Sequence, residues 1–126
     1  MKPRATALIF RNGKVLLTRA RRTNKFRLPG GNIYDARIPP LAHACTELGR
    51  KLDLVPYRAT RLFHCDSEAM TYKHYVTLVE IEDDAEPVIM EHFEEFIWWS
   101  PEHASDLPRF EHVDQILTKF YTGEVG

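Results

Sequence analysis

Apolar and polar positions near the start of the chain follow the pattern of a β-hairpin. Two apolar runs, at positions 5–10 and 15–19, flank the tetrapeptide Arg11-Asn12-Gly13-Lys14. Asn-Gly between two such runs is a strong signal for a two-residue turn that joins antiparallel strands. The pattern therefore predicts that the chain opens with two antiparallel strands.

A helical pattern follows from Pro39 and Pro40, since proline is favoured in the first turn of a helix. Apolar residues then recur at intervals of three and four positions, the spacing of one helix face: Leu41, Ala44 or Cys45, Leu48 and Leu52. The other face carries polar and charged residues: His43, Glu47, Arg50 and Lys51. The segment is therefore predicted to be an amphipathic helix that packs on one face.

The rest of the chain contains further strand patterns and a closing helix. β-branched and aromatic residues dominate positions 59–65 and 70–81 and predict two strands, and positions 94–99 predict another. Ser100-Pro101-Glu102 has the composition of a helix start. An apolar stripe that stops at Gly123 indicates the closing helix: Val113, Ile116, Leu117 and Phe120. Without a regular strand-helix-strand alternation, the fold class is α+β, with two helices on a mixed or largely antiparallel sheet.

Length and composition narrow the class of protein. The chain has 126 residues, enough for one core, so residues 1–126 are expected to form a single domain. No apolar run approaches the length of a membrane-spanning helix, and the first residues lack a signal-peptide pattern, which predicts a cytoplasmic protein without a membrane partner. The net charge of -1 gives no strong signal for nucleic-acid binding. Cys45 and Cys65 fit neither a zinc spacing nor a disulfide framework and are expected to be reduced.

Several segments together resemble the Nudix family, pyrophosphohydrolases that act on nucleoside diphosphates linked to another group. They are the Asn12-Gly13 hairpin, the approach from Lys25 through Leu28-Pro29-Gly30-Gly31, the helix that follows, and Trp98-Trp99-Ser100-Pro101-Glu102. The resemblance covers nearly the whole chain. It implies an α/β/α sandwich with a mixed sheet between helices. It also implies a cleft formed by the helix, the loop before it and residues 91–95.

The box that characterises the family is altered in this sequence. It contains Arg-Glu-Leu-x-Glu-Glu-x-Gly-Leu, and residues 46–54 fall on it if one residue is inserted before the helix. Three positions then match: Glu47, Leu48 and Leu54. Arg50 and Lys51 stand in place of the paired glutamates, and Asp53 in place of the glycine. A gapless alignment puts Gly49 and Arg50 on the pair, but it moves Glu47 to an apolar position. Neither alignment leaves a carboxylate at the pair.

This change bears on metal binding. Magnesium is a hard ion that requires oxygen ligands, and the resemblance implies that adjacent helical glutamates hold it against a diphosphate. Replacing two carboxylates by Arg50 and Lys51 moves the local charge from about -2 to about +2, which opposes a divalent cation. We therefore expect no cofactor. Mg or Mn is expected only if the protein is still an active hydrolase, with Glu47 and Glu91 as its ligands.

The candidate ligand-binding residues follow from the same resemblance: Gly30, Gly31, Arg27, Phe26, Arg50 and Lys51. The glycine backbone would approach an anion, the cations would bind phosphate oxygens, and Phe26 would hold the organic part of the ligand. The charged residues of the helix also have a simpler, structural interpretation. Arg50 and Lys51 also suit the last turn of a helix, and Glu47 could pair with them at helical spacing.

Three functions stay open. The leading hypothesis is a divergent Nudix protein that binds a phosphate- or diphosphate-containing small molecule, a nucleotide derivative, with magnesium-dependent hydrolysis lost or much reduced. The second is an active hydrolase in which Glu47, Glu94 and Glu95 take catalytic roles, although the acidic loop also fits a solvated surface. The third is a catalytically silent interaction or regulatory module. Family members are often dimers, so the resemblance also allows a homodimer.

Overall fold

The computed structural model describes residues 1–90 and 93–123, with the side chain of Glu94 left out. In chain order its elements are β1 (Lys2–Leu8), β2 (Phe10–Arg11), β3 (Lys14–Ala20), β4 (Gly30–Asn32), α1 (Pro40–Leu52), β5 (Arg58–Ser67), β6 (Tyr72–Glu80), β7 (Phe93–Trp99) and α2 (Glu111–Thr122). The two helices and most of the strands therefore lie close to the positions that the hydrophobic pattern predicts, whereas β4 was not predicted.

The strands form two sheets. The larger sheet has the order β4-β1-β6-β5, in which β1 and β6 are parallel and the outer pairs are antiparallel. The smaller sheet has the order β2-β3-β7 and is antiparallel. A hydrogen bond of 3.0 Å from the Leu16 amide to the Ile9 carbonyl lies between them. The arrangement is mixed, as predicted.

The opening hairpin forms, but its first strand is divided. Asn12 and Gly13 have φ values of 51° and 76°, the left-handed pair that a tight hairpin turn requires. The short strand β2 pairs with β3 across this turn, whereas β1 runs parallel to β6 in the other sheet. The prediction of one continuous strand over positions 5–10 is wrong, because the run serves both sheets and changes partner at Ile9.

Two apolar clusters lie on opposite sides of the strands. One contains Leu8, Val15 and Leu17 together with three residues of α2: Val113, Ile116 and Leu117. The other contains Ala7, Ile9 and Leu16 together with two residues of α1: Leu48 and Leu52. Neighbouring residues along β1 and β3 thus enter different clusters, as expected when successive side chains point to opposite faces. The strands lie between the two helices, which confirms the predicted α+β sandwich.

Each helix ends at a residue in the left-handed conformation. Asp53 ends α1 with φ 55°, and Gly123 ends α2 with φ 73°. The helix start predicted at Ser100-Pro101-Glu102 is wrong. The His103 and Ala104 amides donate to the Ser100 carbonyl in a single turn, which is not continued because Pro108 excludes a regular helix there. No helix in the described ranges is long and apolar enough to cross a membrane.

Candidate functional site

A cleft of about 620 Å³ opens between the start of β1, the loop before β4 and the end of α1. Eight residues line it: Arg4, Ala20, Arg21, Arg27, Gly30, Lys51, Met90 and Phe93. Four of the eight are cations, and none of these lining residues is a carboxylate. The cleft therefore attracts anions, and its apolar surface comes from Met90 and Phe93.

Glu47 lies beneath the cleft and is fully engaged by cations. Its side chain is 2% exposed, and its Oε2 accepts from Arg50 at 2.7 Å and lies 3.1 Å from the Lys51 ammonium. Burial raises the pKa of Glu47, but the hydrogen bonds and charges of Lys51 and Arg50 outweigh it and hold the pKa below its ordinary value. These are the ion pairs that the helical spacing predicts. They leave Glu47 ionised and neutralised.

Gly31 packs against the Glu47 carboxylate, and Gly30 contacts Lys51. A Cβ on Gly31 would lie 2.8 Å from Oε2 of Glu47, so a side chain there would push the carboxylate away. The Gly30 carbonyl accepts a hydrogen bond of 2.9 Å from Lys51 and fixes that ammonium at the edge of the cleft. The close approach predicted for the glycines is therefore made to α1 and β1.

Arg27 and Phe26 point in opposite directions. Arg27 lines the cleft, and its guanidinium lies 4.6 Å from the centre of the Phe110 ring. Phe26 is 7% exposed and packs in the cluster with Leu28. Neighbouring side chains of an extended segment alternate, so Phe26 cannot share the cleft with Arg27. This corrects the placement of Phe26 as the ligand-holding aromatic residue; the aromatic residue in the cleft is Phe93.

Arg4 is a cleft residue that the sequence analysis missed. It is 7% exposed, and its guanidinium donates one long hydrogen bond of 3.4 Å to the side chain of Asn32. Burial, followed by the charge of Arg27, lowers the pKa of Arg4 to about 10. The only signal in the sequence is a cation at the head of an apolar strand, and that pattern is common at exposed strand ends.

The acidic candidates do not come together in the described part of the chain. Glu95 lies on β7 and forms an ion pair of 2.7 Å with Arg19, and it is not among the residues that line the cleft. Glu91 lies outside the described residues, as does the side chain of Glu94. Arg50 is 43% exposed and contacts Glu47, but it is not among the lining residues.

A second cluster of titratable residues lies in the interior. Carboxylate and imidazole atoms of Glu68, His74 and His112 lie within 4.8 Å of one another, a set that could hold a metal ion. The Leu28 amide donates to Nε2 of His112 at 3.2 Å, so the ring carries its proton on Nδ1 and donates it to Glu68. Ligation through Nδ1 would require the loss of that proton. The hydrogen bonds therefore favour a structural Glu68–His112 pair.

Sequence spacing could not reveal this cluster, because its members lie on the β5–β6 turn, on β6 and on α2. His74 hydrogen bonds through Nδ1 to the Thr6 hydroxyl at 2.7 Å, and its Nε2 lies 3.5 Å from Glu68. His74 is 0% exposed, so its ring lies in the interior.

The Glu68–His112 pair makes stability sensitive to acid. Burial lowers the pKa of His112 from 6.5 to about 4, so the unfolded chain takes up this proton at a higher pH than the folded protein does. The pKa of Glu68 is also held below its ordinary value, which adds to the loss of stability at lower pH. We expect the unfolding free energy to fall by up to roughly 3 kcal/mol as the pH drops from 6.5 to about 4.

Urea unfolding at several pH values would measure this effect. His112→Gln should flatten the curve between pH 6.5 and 4, and His103→Gln, at an exposed position, should leave it unchanged. Equal slopes for the wild type and His112→Gln would show that another group controls the acid response.

Comparison with known proteins shows that this chain is similar in structure to solved proteins. No family model and no curated protein matches the sequence. The chain is similar to a nudix hydrolase family member from Chromobacterium violaceum, with 22% identity and TM-score 0.78 over 97% of this chain and 77% of that one. It is similar to the MutT NUDIX hydrolase from Burkholderia pseudomallei, with 26% identity and TM-score 0.69 over 91% and 93%. An ADP-ribose pyrophosphatase from Streptococcus suis matches at 19% identity and TM-score 0.64 over 87% and 79%.

Proposed function

From the premise that this chain has the fold of Nudix hydrolases, we propose that its cleft binds a phosphate- or diphosphate-containing small molecule. The ligand is a nucleotide derivative, and ordinary magnesium-dependent hydrolysis is lost or much reduced. A cytoplasmic location and a homodimer stay predictions.

One observation carries this proposal: four cations and no carboxylate are among the described residues that line the cleft. Guanidinium groups bind phosphate oxygens through paired N–H donors, and an ammonium binds them as a point charge. In a concave site such groups also act in a lower effective dielectric than at an open surface. The cleft therefore has the chemistry of an anion site.

The geometry of α1 supports the assignment of Arg50 and Lys51 to the positions of the paired glutamates. Asp53 ends the helix with φ 55°, a conformation that suits the glycine of the family's box. Leu48 is 1% exposed, as the apolar position of the box requires. Both features agree with the alignment that has one inserted residue. The gapless alignment would place buried, ionised Glu47 at the apolar position.

This arrangement does not fit a divalent ion. Mg and Mn require several oxygen ligands, and Oε2 of Glu47 is already shared by Arg50 and Lys51. The alternative of an active hydrolase needs further carboxylates, and Glu95 is paired with Arg19. Neither Glu47 nor Glu95 therefore favours that alternative. An interaction module is the remaining alternative and would bind no nucleotide.

Isothermal titration with ADP and ADP-ribose in EDTA tests the proposal. We expect saturable binding without metal. Arg21→Met should weaken it by about 5- to 30-fold, because the loss of one charge-assisted contact costs about 1 to 2 kcal/mol. Arg22→Met is a matched control, since Arg22 is also exposed and adjacent but does not line the cleft.

Two results would contradict the proposal. The absence of binding of either nucleotide in EDTA would leave the interaction module as the better account. Rapid magnesium-dependent hydrolysis of a nucleoside diphosphate derivative, abolished in Glu47→Gln, would show that the carboxylate still serves a metal.

A further inference from the structure

Arg4 and Arg27 line the cleft, and both are largely shielded from solvent. Arg4 is 7% exposed, and the Nε of Arg27 is buried without a hydrogen-bond partner. Neither guanidinium forms an ion pair in the described part of the chain. By contrast, Arg11 is paired with Glu86 and Arg109 with Asp114. Burial of an uncompensated charge is unfavourable, and such a charge marks a site for an opposite charge.

The acidic groups near these two cations form no hydrogen bond with them. Oε1 of Glu68 accepts from His112 and its Oε2 is buried without a hydrogen-bond partner, so Glu68 attracts both guanidinium groups only at longer range. Glu47 attracts Arg4 at longer range and is bound by Arg50 and Lys51. None of these groups takes up the N–H donors of the two arginines.

Aromatic rings hold the two guanidinium groups instead. Arg4 lies 5.8 Å from the centre of the Tyr72 ring, and Arg27 lies 4.6 Å from the centre of the Phe110 ring. A ring contacts the flat face of a guanidinium and leaves its N–H edge available. The two side chains are therefore held in place while their donors remain open to a ligand in the cleft.

We propose that Arg4 and Arg27 form a subsite for a terminal phosphate group in its dianionic form. This inference rests on the proposed function and specifies the ligand. A terminal phosphate carries a charge of about -1.5 to -2 at pH 7 and presents three acceptor oxygens, whereas each phosphate within a capped diphosphate carries about -1. Two cations that form no ion pair with a described carboxylate are matched by the first and only half matched by the second. The cleft thus selects a nucleotide with a free phosphate end.

Titration of ADP and ADP-ribose at pH 7.5 in EDTA compares the two ligand types, since ribose caps the terminal phosphate in the second. We expect the wild type to bind ADP at least about tenfold more tightly. Arg4→Met and Arg27→Met should each weaken ADP binding by about 20-fold or more and remove the preference. Arg58→Met is the control: Arg58 is exposed and pairs with Glu80, so both affinities should be unchanged.

Thermal unfolding of the ligand-free variants separates this account from a structural role. Methionine keeps the aliphatic length of Arg4 and removes an uncompensated charge, so Arg4→Met should melt at the same temperature as the wild type or higher. A clearly lower melting temperature for both variants would show that the charges are compensated and would overturn the inference. Equal affinity of the wild type for ADP and ADP-ribose would also overturn it and leave the proposed function standing. No binding of either ligand would overturn both.

Discussion

Gly30→Ala is expected to destabilise the protein by more than about 4 kcal/mol, enough to prevent stable folding. Gly30 has φ 149°, which L-residues rarely adopt, and an added Cβ would lie 2.0 Å from the carbonyl oxygen of Ala5. That oxygen belongs to β1, which pairs with β4 on one side and β6 on the other. The clash therefore involves backbone that cannot move without breaking a sheet. Urea unfolding monitored by circular dichroism would measure the loss.

Gly13→Ala is the matched control for this substitution. Gly13 also has a positive φ, of 76°, but nothing lies within 4 Å of the position of its Cβ. Only the conformational penalty applies there, and we expect a cost of about 1 kcal/mol. If the two substitutions cost the same, the close packing of Gly30 against β1 would not be a determinant of stability.

The double substitution Arg50→Glu and Lys51→Glu is expected to create a divalent-metal site. Three carboxylates would then share the end of α1, the ligand type that Mg and Mn prefer. Without metal the variant should be destabilised by roughly 3 kcal/mol or more, because Glu47 is 2% exposed and would lose both cations. Mn²⁺ at about 100 times its dissociation constant should restore about 2.7 kcal/mol. Melting temperatures with and without Mn²⁺ would measure both effects.

A double variant at exposed positions controls for net charge. Lys14→Glu with Arg58→Glu changes the charge by the same amount on exposed strand residues, and its melting temperature should not respond to Mn²⁺. The wild type should not respond either. A Mn²⁺-dependent rise in the wild type would refute the electrostatic argument against a metal. No rise in the Arg50→Glu and Lys51→Glu variant would show that replacing these two cations is not sufficient.

Local patterns determined most of the fold. The three- and four-residue spacing of Leu48 and Leu52 placed α1, and proline at its start and a left-handed residue at its end agree with the observed limits. These signals depend on neighbours in the chain, so they can be read without knowing what packs on them. The division of the first strand between two sheets could not be predicted from the sequence, because a strand pairs with partners that are far away in the chain.

Only some residues of the candidate site could be predicted from the sequence. The motif around Gly30 led to three of the residues that line the cleft, namely Arg27, Gly30 and Lys51. Phe26 was misplaced because a single sequence does not say which of two alternating side chains faces the core. Arg4 was missed because its position resembles an ordinary strand end.

By itself the sequence determined the helices, most strands, the family resemblance and the replacement of glutamates by cations on α1. Only the tertiary structure decided that Arg4 is buried beside Arg27, that Glu47 is already neutralised, and that Glu68 is committed to His112. Burial, pairing and the pKa values that follow from them depend on distances between residues far apart in the chain. Those distances are set by packing of the sheets and helices, which local pattern does not encode.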